Sequence, residues 1–404
     1  MQDRKPLSGV RIIDLTIAMA GPLATQRLAD LGADVVKVEV PPDGDLTRVF
    51  ELNNVRLDGD TSCYISLNRN KRSIIVNLKN DEGREILYSL IKDADVFIQN
   101  FRPGVAEKIG MDYETVLARN ARIVYASITG YGKSGPMVGE PGQDLLAQAF
   151  SGLMFSAGKA SDGPHPSPCY MADTGASHLI TSGILAGLYE REQTGEGTFV
   201  ETSLLGGLLE MQTQEIMTYL ATGESARRCD APYASAWLEP PYGVYKTSDG
   251  WLAFAQNDLF VIADVLDLPE LAECQRQQPE KLTSDEGSEW REQCYRILGG
   301  KLAEMKTGIA KDALSAKGVW CMPVNNYEQA LAHPQTDQFL SSFTRSDFGE
   351  IRCVAPALKV GPNTGPDQKL KPAPRLGEHT REVLAAAGYS ASDLERLFEE
   401  EIIS

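Results

Sequence analysis

The string Met171-Ala172-Asp173-Thr174-Gly175 sets one carboxylate at the head of a helix-forming stretch, about Thr174 to Gln193, that is rich in small residues. Two readings are open. The carboxylate is an N-cap accepting a backbone N–H, or it is an anion favoured by the positive end of a helix dipole and available as a nucleophile. The Asp-Thr-Gly triplet also invites an aspartic protease reading, but that chemistry needs two carboxylates sharing a proton in an all-β frame, and this chain has one triplet in an α/β pattern. A second candidate is Leu15 to Pro22, which stands where a dinucleotide fold carries its phosphate loop, with Glu39 eighteen residues beyond Gly21 near the place of a ribose-binding acid. Only one of the required glycines is present, and Pro22 has no N–H. An ordinary strand-to-helix turn is therefore favoured over an NAD or FAD site. A third candidate is the basic set Arg69, Lys71, Arg72, Lys79, Arg102 and Lys108 around Asn100-Phe101. It reads either as a phosphate-binding cluster at the carboxyl ends of the strands or as solvated surface charge.

The elements that must position these residues alternate between strand and helix patterns. Val10 to Leu15, Leu23 to Leu31 and Ala33 to Val38 make a βαβ unit; Ser73 to Leu78, Asp81 to Lys92 and Asp95 to Gln99 make a second. Arg122 to Ser127 is a further strand, followed by turn-rich residues up to Pro136 and helical patterns at about Asp144 to Phe155 and Thr174 to Gln193. The small residues of the last helix, Gly175, Ala176, Ser177, Gly183, Ala186 and Gly187, allow close approach to its neighbours. Past Leu220 the texture changes to a hairpin, Tyr242 to Lys246 with Trp251 to Ala255, and several helices. Strand signals at Cys321 to Val324 and Ile351 to Leu358 and a helix around His379 to Ala387 close the chain. The expected organisation is α/β: residues 1–220 as a large Rossmann-like domain, 221–330 as a smaller α+β domain, and 331–404 returning to the large one.

The 404 residues, at roughly 150 per domain, give two to three domains with a sizeable core. With 42% hydrophobic and 24% charged residues, disordered, collagenous and coiled-coil classes are excluded. A formal charge of -17 repels nucleic acid and anionic lipid at long range, although a local cationic cluster or helix N-terminus can still bind a small anion. No secretory signal and no stretch of about 18 apolar residues is seen, so a cytoplasmic, non-membrane protein is expected. Seven cysteines without C-x-x-C spacing and four scattered histidines support neither a disulfide framework nor a zinc site.

Several strings resemble the family III CoA-transferases. They run from Pro6 to Leu15, Ala20-Gly21-Pro22, Leu31 to Glu39, Gly44-Asp45, Asn68 to Ser73 and Asn100-Phe101-Arg102-Pro103-Gly104. They continue through Gly130-Tyr131-Gly132, Asp173 and its helix, Arg191 to Gly197, Pro241 to Tyr245, Gly250-Trp251 and Leu376 to Thr380. These collinear matches cover nearly the whole chain. The resemblance implies a large Rossmann-like domain built from both chain ends, a small middle domain and an interlocked homodimer. It places Asp173 at the nucleophile position, attacking an acyl-CoA thioester to give an aspartyl anhydride and then an aspartyl-CoA thioester. Coenzyme A or acyl-CoA is then a substrate, with no tightly bound cofactor and no metal, and a carboxylic acid takes over the CoA. Dicarboxylates such as succinate or a branched C5 diacid are common in the family, but nothing in the sequence selects among them.

The same resemblance would lay CoA along Ala18, Met19, Val76, Lys79, Asn100, Phe101, Lys108 and Ile109, with Lys79 and Lys108 at phosphates and Phe101 or apolar neighbours at the adenine. The fold also hosts α-methylacyl-CoA racemases, whose histidine position is held here by Gln143, which cannot exchange a proton near neutral pH. Asp144 matches an acidic position of the family; it either orients groups near the nucleophile or is an ordinary helix-start carboxylate. Val40-Pro41 and Pro141 stand where formyl-CoA transferases carry basic residues, which leaves Arg48, Arg69 or Arg72 as replacement phosphate contacts. Ala234 to Pro240 replaces their tetraglycine loop, with Trp237 and Tyr233 as walls of an acyl pocket or as core aromatics. The alternatives to a transferase are an acyl-CoA racemase or isomerase and a catalytically silent CoA-binding protein.

Overall fold

The structure is a computed structural model that describes residues 4–230, 233–234, 236–345 and 348–404. Contacts divide the chain into two units. One comprises Met1–Ala147, Tyr170–Leu208 and Pro334–Ser404; the other comprises Gln148–Cys169 and Leu209–His333. The stretch 148–169, assigned to the large domain by its sequence position, thus belongs with the second unit.

The first unit is built on a six-stranded sheet. Its strands are β1 (Arg11–Leu15), β2 (Asp34–Glu39), β3 (Arg72–Ile75), β4 (Val96–Gln99), β5 (Val124–Thr129) and β6 (Thr198–Ser203). Every pairing is parallel, in the order β3-β2-β1-β4-β5-β6. This is the doubly wound order, in which the connections run in opposite directions from β1 and leave a crevice at the carboxyl ends of β1 and β4. The crossovers carry α1 (Ala20–Asp30) and α2 (Asp81–Ile91); α3 (Asp144–Phe150) and α4 (Met171–Thr194) precede β6, and α5 (Leu204–Met211) follows it.

On one face, Ile13, Val36, Ile74, Phe97 and Tyr125 form a continuous core with Ile86, Leu87, Leu90 and Ile91 of α2. Val383, Leu384, Leu394 and Leu397 from the two C-terminal helices join the same cluster. On the other side, α4 reaches β6 through its small residues: a Cβ on Gly183 would stand 2.4 Å from Val200, and one on Gly187 2.8 Å from Thr198. Strand β6 itself carries no sequence signal of apolar alternation. The expected helix to Phe155 stops at Phe150, because Gly152 takes a left-handed φ of 86° and a short 3-10 turn follows.

The second unit holds an antiparallel sheet of β7 (Tyr233–Ala234), β8 (Gly243–Lys246), β9 (Trp251–Phe254) and β10 (Cys321–Pro323). The hairpin is as expected, pairing Val244 with Ala253 and Tyr245 with Leu252. Tyr245, Leu252, Trp290, Tyr295 and Leu298 fill its core. Among the described residues, no helix is long and apolar enough to cross a membrane.

Candidate active site

The turn from β1 to α1 runs over the crevice at the switch point, and buried charge fixes its path. Asp14 accepts the Thr16 N–H at 2.9 Å and the hydroxyls of Thr16 and Thr25 at 2.5 and 2.6 Å, with Lys71 Nζ at 3.3 Å. Burial alone would raise the pKa of Asp14, but Lys71, Lys37 and these hydrogen bonds hold it below the ordinary carboxylate value. Burial in turn lowers Lys71 to about 8, against the opposing pull of Asp14. A Cβ on Gly21 would meet Thr16 at 2.2 Å, so this glycine serves helix-to-turn packing. Glu39 is likewise occupied, bound to Arg48 at 2.7 and 2.8 Å and to the Asp45 N–H at 3.0 Å. Both features that suggested a dinucleotide thus have structural uses.

Lys37, fully buried, donates to the Thr16 carbonyl at 2.7 Å and pairs with Asp45 at 2.7 Å. Asp45 Oδ1 accepts the Ala18 N–H at 3.1 Å, while Asn100 both accepts from the Ile17 N–H at 2.9 Å and donates to its carbonyl at 2.8 Å. Held from both sides, Ala18 adopts a left-handed φ of 65°, a conformation that costs an alanine about 1–2 kcal/mol. The turn brings Ala20, first residue of α1, to Asp173, whose ionised form its N–H favours.

Asp173 is not the cap of its helix. α4 begins at Met171, which puts Asp173 in the first turn, and the N-cap Tyr170 makes no side-chain capping bond. The cap comes from elsewhere: Asp144 Oδ1 accepts the N–H of Ala172 at 2.7 Å and that of Asp173 at 3.2 Å. Burial and then the Asp144 charge push the Asp173 carboxyl up to about 7, against the Ala20 N–H, which favours ionisation. Burial and Asp144 thus outweigh the Ala20 N–H at the start of α1 and hold the carboxyl well above its ordinary value.

Asp173 opens into a cavity of about 140 Å³ whose walls include Ala18, Ala20, Asn100, Phe101, Arg102, Tyr131, Glu140, Gln143 and Asp144. Gly130 and Gly142 form its floor in backbone contact: a Cβ on Gly130 would lie 2.5 Å from the Gly142 Cα. Of the residues singled out in the sequence, the structure brings together Ala18, Asn100, Phe101, Gln143, Asp144 and Asp173. Met19 is the N-cap of α1, next to Ala18. Val76 is wholly buried in the core, Ile109 packs against the same core, and Lys79 and Lys108 are exposed, all outside the cavity wall. Trp237 is partly buried in the second unit, and Ser235 and the Tyr233 side chain lie outside the described residues. Glu140, also in this cavity, carries no signal in the sequence, because it lies in a turn without a motif.

The basic set divides. Arg69 pairs with Asp30 at 2.7 Å, Lys71 lies by Asp14, and Arg72 pairs with Asp34 at 2.5 Å. Arg48 bridges Glu39 and Asp60. Scaffold carboxylates thus pair with all three arginines, Arg48, Arg69 and Arg72, that the sequence offered as phosphate contacts. Lys79, Arg102 and Lys108 remain exposed. No histidine lines the Asp173 cavity, and among the described residues no cluster of His, Cys, Asp or Glu is arranged to hold a metal.

Fold and site together define an α/β enzyme built around a partly buried carboxyl at the switch point of a doubly wound sheet. The chain belongs to CoA-transferase family III, whose model matches residues 7–380. It is 34% identical over 385 residues to the succinyl-CoA:glutarate CoA-transferase of Mus musculus, covering 94% of this chain and 86% of that one. It is 32% identical over 396 residues to the succinate–glutarate CoA-transferase of Agrobacterium fabrum, covering 95% and 96%. A crystal structure of a CaiB/BaiF family protein from Brucella suis superposes with a TM-score of 0.80 at 28% identity, over 95% of this chain and 100% of that one.

Proposed function

We propose that this chain transfers CoA from an acyl-CoA to a free carboxylic acid through Asp173, with dicarboxylic acids as donor and acceptor. The observation that carries the reading is the Asp173 carboxyl in its cavity, held by the Ala20 N–H and flanked by Asp144, with no histidine in the walls. The Asp173 carboxylate attacks the thioester carbonyl; the C–S bond breaks and CoA leaves as thiolate, giving a mixed anhydride. The thiolate then attacks the aspartyl carbonyl and expels the donor acid as its carboxylate, leaving an aspartyl-CoA thioester. An acceptor carboxylate runs the two steps in reverse. Each step exchanges a carboxylate for a thiolate or back, so no proton is gained or lost and no general acid is required. Racemisation, by contrast, needs a base at the α-carbon, and Gln143 cannot serve as one.

Dicarboxylic substrates are supported by the names of the mouse and Agrobacterium relatives, which act on succinate and glutarate. Family resemblance further supports an interlocked homodimer, tested by sedimentation. The decisive experiment treats the protein with succinyl-CoA and hydroxylamine and weighs the peptide containing Asp173. A hydroxamate on that residue, with transfer lost in Asp173→Asn, supports the reading. α-Deuterium exchange without an adduct supports an isomerase instead.

A further inference from the structure

We infer that Arg102 recognises the distal carboxylate of the dicarboxylic acid whose other carboxylate exchanges CoA at Asp173; this rests on the transferase reading above. Among the described residues lining the Asp173 cavity, Arg102 is the sole cation, and the titratable carboxyls there are Glu140, Asp144 and Asp173. A free dianion entering this space meets three acidic side chains. A compensating cation is needed, and the neighbouring ones are spent: Lys37 is paired with Asp45, Lys71 with Asp14 and Arg48 with Glu39. No ion pair or side-chain hydrogen bond ties Arg102 to a described residue.

Its backbone, however, is fixed. Asn100 is locked to Ile17 by two hydrogen bonds, the Phe101 N–H donates to Gln99 at 2.6 Å, and the Arg102 carbonyl accepts from Val105 at 3.1 Å. Pro103 further restricts the backbone of Arg102, disfavouring helical angles there. A planar guanidinium on a rigid base, its fork unfilled, suits bidentate capture of a carboxylate. Arg102 also lines a second cavity, of about 360 Å³, that shares Phe101, Pro103 and Thr129 with the first, so an acid longer than the first cavity has space beyond the guanidinium.

The test compares glutarate with valerate, a monocarboxylate of the same chain length, as acceptors from acetyl-CoA. In Arg102→Gln the ratio of kcat/KM for glutarate over valerate is expected to fall at least tenfold, and in Arg102→Lys by less, because charge is kept and the fork lost. A ratio within twofold of wild type in both variants overturns the proposal. Loss of a CoA phosphate contact would lower both acids alike and give that same overturning result. The parent reading is judged separately on the wild type: absence of an Asp173 adduct defeats the transferase, whereas an adduct with an unchanged ratio defeats the role of Arg102 alone.

Discussion

Asp144 caps the helix that carries Asp173, accepting the N–H of Ala172 at 2.7 Å and of Asp173 itself at 3.2 Å through one carboxylate oxygen. The same carboxylate thus anchors the backbone of Asp173 and opposes ionisation of its side chain.

These two effects separate in Asp144→Asn. The amide oxygen can still accept both N–H groups, but the charge is gone, so the Asp173 pKa falls. Because the attacking form is the carboxylate, kcat/KM of the wild type is expected to rise through about pH 7. In Asp144→Asn the midpoint moves to lower pH; a profile that stays in place or moves up contradicts the coupling. Asp144→Ala removes the cap as well and is expected to cost about 1 kcal/mol in urea unfolding.

Stability provides a second reading of the same carboxyl. A folded-state pKa of about 7, above the ordinary 3.8, means that the folded chain binds the Asp173 proton more tightly than the unfolded chain. This contribution is present in full below the unfolded value and is lost as pH rises towards the folded one. Asp173→Asn has no charge to bury, so its melting temperature relative to wild type should increase between pH 5.5 and pH 8. An equal difference at both pH values would show that Asp173 is not perturbed.

Strain at Ala18 gives a prediction on backbone geometry. Glycine enters the left-handed region freely, so Ala18→Gly is expected to raise unfolding stability by up to about 1 kcal/mol. The β-branched Ala18→Val should do the reverse and reduce transfer more than tenfold, since the turn aims the Ala20 N–H at Asp173. Matching stabilities in the two variants would mean that the positive φ is absent in solution.

Lys37 tests the support beneath that turn. Removing one partner of a buried ion pair costs about 3–5 kcal/mol, because the other charge is left uncompensated. Lys37→Met is expected to lose this much in urea unfolding, and Asp45→Asn in the same chain to restore part of it. Losses that simply add would deny the pairing.

Much of the first unit was legible in the sequence. Apolar runs such as Val35-Val36 and Ile74-Ile75 lie in the expected strands, and the helix expected over Asp81 to Lys92 runs from Asp81 to Ile91. Strand β6 was missed because Thr-Phe-Val-Glu-Thr-Ser lacks that signature; its place is set by α4, whose glycines let it sit against Val200 and Thr198. Asp173 and Asn100 stand out by position along the chain, and Asp144 through the family resemblance, but Arg48, Arg69, Arg72 and Arg102 look alike there.

The sequence by itself determined the alternation of strands and helices and which carboxyl stands at the head of the small-residue helix, since both follow from local pattern. Only the tertiary structure decided that Asp144 rather than Asp173 caps that helix, and that Arg48, Arg69 and Arg72 are consumed within the scaffold while Arg102 faces the cavity. The physical reason is that the state of a charge depends on what surrounds it in space, and these partners come from segments far apart along the chain.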